Sequence, residues 1–290
     1  MVRVVLTVSV AVPHLRWARG PSPDQRHLVS AYSSVDRDPT SHYRVLAPDD
    51  HFELGEAQFG NPGLGAIESI GPFVPIKASG PLLTVHDSTI DAGLGIGHHP
   101  HQGNERLFYI EEGQLDHDDA LNHIKGHMDT GDVGQFTEGR RGMIHSEWNN
   151  GEVDARAFIL VYATDPMPST ASFGLLSDAE APRYEPSPGV LTKELVGQRS
   201  PLVVNGDVRL FTDDGLAAKA AVTLSLAPDE GGVVSVRSGE VELEGQPLVP
   251  GTTVVVPPAD TPRALVLTAV QASRIIRVGH GPGQGFVLES

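Results

Sequence analysis

The sequence predicts an all-β protein built as two domains in tandem, on three observations. The chain has 290 residues, more than a single core of ordinary size organises, so two domains of roughly 100–150 residues are expected. It holds 32 Gly and 23 Pro with only 20% charged residues, a turn-rich composition that suits many short strands better than long helices. Its apolar residues come in short runs cut by Gly, Pro and Asp, as in Ile67–Ile70, Phe73–Ile76 and Leu82–Val85, the rhythm of strands joined by turns.

Residues 1–35 read as a leader. Their apolar run Val2–Val12, with Arg3 near its start, is too short to span a bilayer and is followed by no clear small-residue cleavage site. It therefore reads as an edge strand or a disordered leader, and the chain as cytoplasmic with no membrane contact. The first domain is expected over 36–164, with Asp36–Gly55 as a polar lead-in. Arg106–Ile110 and Gln114–His117 flank the turn pair Glu112-Gly113 and predict a hairpin. Ala157–Tyr162 is a continuous apolar run and predicts a buried strand. Over 165–188 the composition shifts to Pro, Ser, Ala and Asp, with Pro166, Pro168, Pro182, Pro186 and Pro188, which predicts a linker. The second domain, 189–290, repeats the rhythm of the first. Ser238–Glu242 echoes Glu112–Asp116, and Pro250–Val254 echoes Thr130–Val133, the mark of a duplicated fold.

Composition excludes several chemistries. With 37 acidic and 21 basic residues the formal net charge is −16, which repels phosphate and argues against nucleic acid as a direct partner. The chain has no cysteine, so disulfides, thiolate metal sites and cysteine nucleophiles are absent, and His, Asp and Glu are the available ligands.

Those ligands are concentrated in Gly93–Glu105 and Gly142–Glu147. Side chains alternate along a strand, so His99 and His101 share one face and His145 and Glu147 share another, while His98 points away. Two strands each offering two ligands to a barrel interior make a site of three imidazoles and one carboxylate with positions left open. Burying these groups together costs several kcal/mol, of order 3–5, unless a cation compensates them. The set favours Fe2+ and also accepts Mn, Co, Ni, Cu or Zn. His117, His123 and His127 sit among Asp and Gly and read as solvated loop residues. The second domain has His280 alone, and Ser225 and Ala227 stand where His99 and His101 would align, so no comparable site is expected there.

The segments His99–Glu105, Thr130–Val133 and Gly142–Glu147 resemble the signature of the pirin family, with an isolated echo at Pro182–Glu185. The resemblance implies a bicupin: two cupin (double-stranded β-helix, or jelly-roll) domains, the first holding one metal through His99, His101, His145 and Glu147. Several bacterial members are quercetin 2,3-dioxygenases, which implies a small flavonol-type aromatic substrate and O2 as partners, with Glu147 or Glu105 as the base. Glu105 matches the fourth ligand of many other cupins and is expected to bond a ligand or a bound water. Asn104, where relatives often carry an aromatic residue or Met, and the longer turn Gly139–Gly142 depart from the family pattern and bear on the substrate. Other pirins look like non-catalytic, redox-sensitive regulators that bind proteins, and a cupin isomerase or hydrolase is a third reading. A monomer is the preferred assembly.

Overall fold

In the computed structural model the described residues are 42–289, so the expected leader lies outside them. The expected all-β class holds. Short β-branched and aromatic runs pair into four antiparallel sheets, two per barrel, and the bicupin is the architecture they make. The large sheet of the first barrel runs β13 (Ser172–Leu176), β10 (Val133–Thr137), β7 (Asn104–Glu112), β12 (Ala155–Ala163), β5 (Leu82–Ile90), β3 (Leu64–Ile70), β2 (Phe52–Leu54). Beside β5 lie β4 (Ile76–Ser79) and, paired to it, β24 (Phe286–Leu288). Opposite is a small sheet in the order β6 (Gly95–His101), β11 (Met143–Trp148), β8 (Gln114–Asp119), β9 (Ile124–Asp129).

The second barrel repeats this plan. Its large sheet is β1 (Arg44–Leu46), β21 (Thr253–Val256), β18 (Gly231–Ser238), β23 (Ser273–His280), β16 (Val208–Leu216), β15 (Val190–Val196), β14 (Arg183–Ser187). Its small sheet is β17 (Ala221–Leu226), β22 (Arg263–Ala269), β19 (Val241–Leu243), β20 (Gln246–Leu248). The large sheets face each other, and Leu107, Tyr109, Phe158 and Leu160 pack with Val196, Phe211, Ile276 and Val278 in one core. Arg237 closes on Glu111 and Asp87, and Arg274 on Glu111 and Asp213, at the same junction.

Four details differ from the sequence reading. The first is that β7 and β8 are not a hairpin: β7 pairs with β10 and β12, and β8 with β11 and β9. Gly113, at φ 71°, turns the chain from one sheet to the other, and a Cβ there would meet the Asp154 carbonyl at 2.7 Å, so the Glu-Gly pair marks a corner of the barrel. Secondly, the stretch expected as a linker contains β13, which edges the first barrel, and β14, which edges the second. Thirdly, the first and last described strands cross over, since β1 pairs with β21 and β24 with β4. Finally, the run expected as a strand over Phe73–Ile76 is a turn until β4 starts at Ile76. Among the described residues no helix is long and apolar enough to cross a membrane; α1 (Glu56–Phe59) has four residues.

Candidate metal centre

Pairing of β6 with β11 sets His99 opposite His145 and His101 opposite Met143. The register then shifts, with Glu147 opposite Ile96, so Gly97 and His98 stand outside the ladder as a bulge. Bulges re-aim side chains, and this one leaves the Gly97 carbonyl 2.8 Å from His99 Nδ1. A proton on Nδ1 donated to that carbonyl turns the Nε2 lone pair inward. Gly142, at φ 80°, lets β11 start close to β6, for a Cβ would stand 2.8 Å from the His101 carbonyl.

The three imidazoles converge as expected. Ring centroids of His99, His101 and His145 are 4.7 to 4.9 Å apart, and one ligand atom from each lies within 4.8 Å of the others. Glu147 joins them, with Oε1 3.2 Å from His145 Nδ1 and Oε2 3.8 Å from His99 Nε2. His145 Nε2 and Glu147 Oε2 are buried and have no hydrogen-bond partner. Two orphaned buried acceptors cost roughly 1–3 kcal/mol each, and a shared cation would satisfy both, so the donor set fits a metal ion.

The electrostatics favour the same occupant. Burial holds all three histidines below the ordinary imidazole range, helped by the Arg106 charge and by neighbouring histidines; His101 is held down at about 3. They are therefore neutral, the ligating form. Burial pushes the Glu147 carboxyl up to about 7, against the pull of Arg106; a cation beside it would favour the carboxylate.

Two residues depart from expectation. Glu105 does not face the histidines: it is fully buried and accepts from Thr137 Oγ1 and Tyr162 OH at 2.6 Å, and from Asn205 N and Nδ2 at 2.8 and 2.5 Å. All of its lone pairs are used in tying the loop before β16 to the first barrel, because β7 turns Glu105 to the face opposite Arg106. His117 was read as a solvated loop residue and is instead an inward residue of β8, opposite Glu147 and buried. Its Nδ1 is 3.3 Å from His145 Nδ1, its ring stacks on Phe173, and burial holds it down at about 4. The alternation Leu115, His117, Asp119 was the available signal, since all three are buried. His98 is exposed and His127 lies on the outer face beside Asp116 and Asp129.

Above the cluster opens a cavity of about 520 Å³. Its walls are largely apolar, including Phe59, Leu64, Ile90, Phe108 and Ile159, with Gln58, His86 and Asn104 among the polar residues, and Arg106 enters it beside His101. In the second barrel Ser225 and Ala227 are exposed, while Val222, Leu224 and Leu226 point inward. The two positions expected to match His99 and His101 thus face outward, and neither face of β17 carries a histidine or a carboxylate. Among the described residues the trio above is the one metal-capable histidine cluster.

The Pirin family model matches residues 56–161, which hold the whole cluster. Over these residues the first barrel matches the pirin domain. The chain is 31% identical over 144 residues to Pirin-1 of Arabidopsis thaliana, covering 49% of each chain. It is 37% identical over 68 residues to the quercetin 2,3-dioxygenase of Escherichia coli K12, covering 23% of this chain and 29% of that one. The chain thus spans less than half the length of these curated relatives. Over both barrels the fold is similar to the E. coli bacterial pirin YhhW solved with nickel(II), with TM-score 0.68, 18% identity, and 83% of this chain and 99% of that one covered.

Proposed function

We propose that this protein is a metal-dependent dioxygenase acting on flavonol-type aromatic substrates, with Fe2+ held by His99, His101, His145 and Glu147. The observation that carries the reading is the pair of orphaned buried atoms, His145 Nε2 and Glu147 Oε2, the second belonging to a residue that lines a largely apolar cavity. A volume of about 520 Å³ falls in the range that encloses a drug-sized polycyclic ligand. The relative named quercetin 2,3-dioxygenase supports the choice of substrate.

Bound iron would supply Lewis acidity toward a substrate oxygen and a redox partner for O2. The chain's own residues do the rest. Phe59, Ile90, Phe108 and Ile159 take up the rings and exclude water. Glu147, which lines the cavity, accepts the proton of the flavonol 3-hydroxyl through the carboxylate oxygen that it does not give to the cation. Hydrogen bonds at His99 and His145 fix both rings so that the site needs little rearrangement. The net reaction joins flavonol and O2, opens the heterocycle to a carboxylic ester and releases carbon monoxide.

The test is iron-loaded protein with quercetin in air, following flavonol absorbance and carbon monoxide together. Turnover that vanishes in His101→Ala is the expected result. No turnover at full metal occupancy would replace this reading with the non-catalytic, protein-binding one, and turnover without O2 with a Lewis-acid isomerase or hydrolase.

A further inference from the structure

One cationic side chain enters the apolar cavity. Arg106 is held on one side by Glu138, whose Oε1 accepts from Nε at 2.7 Å, and Glu138 is itself fixed by full burial and by the Asn104 N–H at 2.9 Å. Nη2 reaches His101 Nδ1 at 2.7 Å, and Nη1 has no hydrogen-bond partner among the described residues. Glu138 thus orients the guanidinium and leaves its outer edge to the cavity. Donors of this kind, walled by Leu64, Ile90, Phe108 and Ile159, bind an oxyanion far better than they would in water.

We propose that Arg106 sets the substrate class: the cavity takes a largely apolar molecule bearing an oxyanion, a carboxylate or an ionised enol or phenol, and Arg106 grips that oxygen beside the metal. This rests on the cavity being a substrate site and adds the charge of what it admits. Guanidinium geometry suits such an oxygen, and its charge persists at any working pH.

The experiment uses zinc-loaded protein, which is redox-inert, and two probes of one shape, 2-naphthoate and 2-naphthamide, titrated by fluorescence. Arg106→Gln, at unchanged zinc content, should lose about tenfold in naphthoate affinity and keep naphthamide within about twofold, with Arg106→Lys recovering part of the loss. Unchanged naphthoate binding, equal losses for both probes, or no binding of either to wild type would overturn the proposal. Loss of zinc from Arg106→Gln would do so too, by making Arg106 a support of the centre. The dioxygenase reading stands apart: a protein inert to quercetin can still show this pattern, and quercetin turnover untouched by Arg106→Gln removes the anion contact alone.

Discussion

The two barrels share a plan and differ inside. In the second, Val222, Leu224 and Leu226 of β17 meet Leu265 and Leu267 of β22 and Val234, Val236 and Val254 of the large sheet, and the interior is filled. In the first, the equivalent edge strand β6 reads Gly-Ile-Gly-His-His-Pro-His, and the space below it is open. A strictly alternating strand of aliphatics closes the barrel; a bulged strand with two glycines and three histidines keeps it open and lines it with ligands. The backbone fold is common to both, so function here is a matter of what two paired strands, β6 and β11, carry.

The largest effect expected from this contrast is on metal. His99→Ala removes a ligand from the open barrel and should weaken binding by about a thousandfold or more, some 4 kcal/mol, seen as zinc lost to a competing chelator. Retention of metal by a His99→Ala, His145→Ala double variant would put the ion elsewhere. Next comes the closed barrel: Leu267→Ala leaves a void in a packed interior and should cost about 3 kcal/mol in urea unfolding.

Acid should reveal a third difference, at the junction of the two barrels. His280 of β23 is buried, with Nε2 3.2 Å from Ser79 Oγ of β4, and burial holds it down at about 4. A folded value below the unfolded one of about 6.5 means the unfolded chain takes the proton first, so this stability is complete above pH 6.5 and is lost as pH falls toward 4. Between pH 7 and 4.5 the loss should be about 2 kcal/mol, and His280→Asn should show a correspondingly flatter profile. The smallest effect is Ile159→Ala, on the wall of the open cavity, which should cost about 1 kcal/mol because the side chain already borders empty space. A cost equal to that of Leu267→Ala would mean that the first barrel is as closely packed as the second.

The sequence made the cluster legible where local geometry decides. His99 and His101, and His145 and Glu147, stand two apart, and strand alternation puts each pair on one face whatever the rest of the chain does. Glu105 failed the same reasoning because proximity in sequence to His101 was weighed above the face it occupies on β7. His117 was hidden by its neighbours, Asp116 and Asp118, whose outward polarity makes a half-buried strand look like a loop. The crossing of β1 and β24 left no trace, since pairing between residues some 200 apart depends on edges that other strands create. Arg106 was legible only as a strand residue; its place beside His101 depends on how the two-residue connection 102–103 carries the chain from β6 into β7.

That crossing has a consequence for how the chain is made. Arg44–Leu46 waits for Thr253–Val256, and Ile76–Ser79 waits for Phe286–Leu288, so neither half owns every strand of its own sheet until the residues through Leu288 have left the ribosome. Contacts of such long reach are slow to form, and a cut at the boundary between the halves would yield two pieces that each keep a strand belonging to the other.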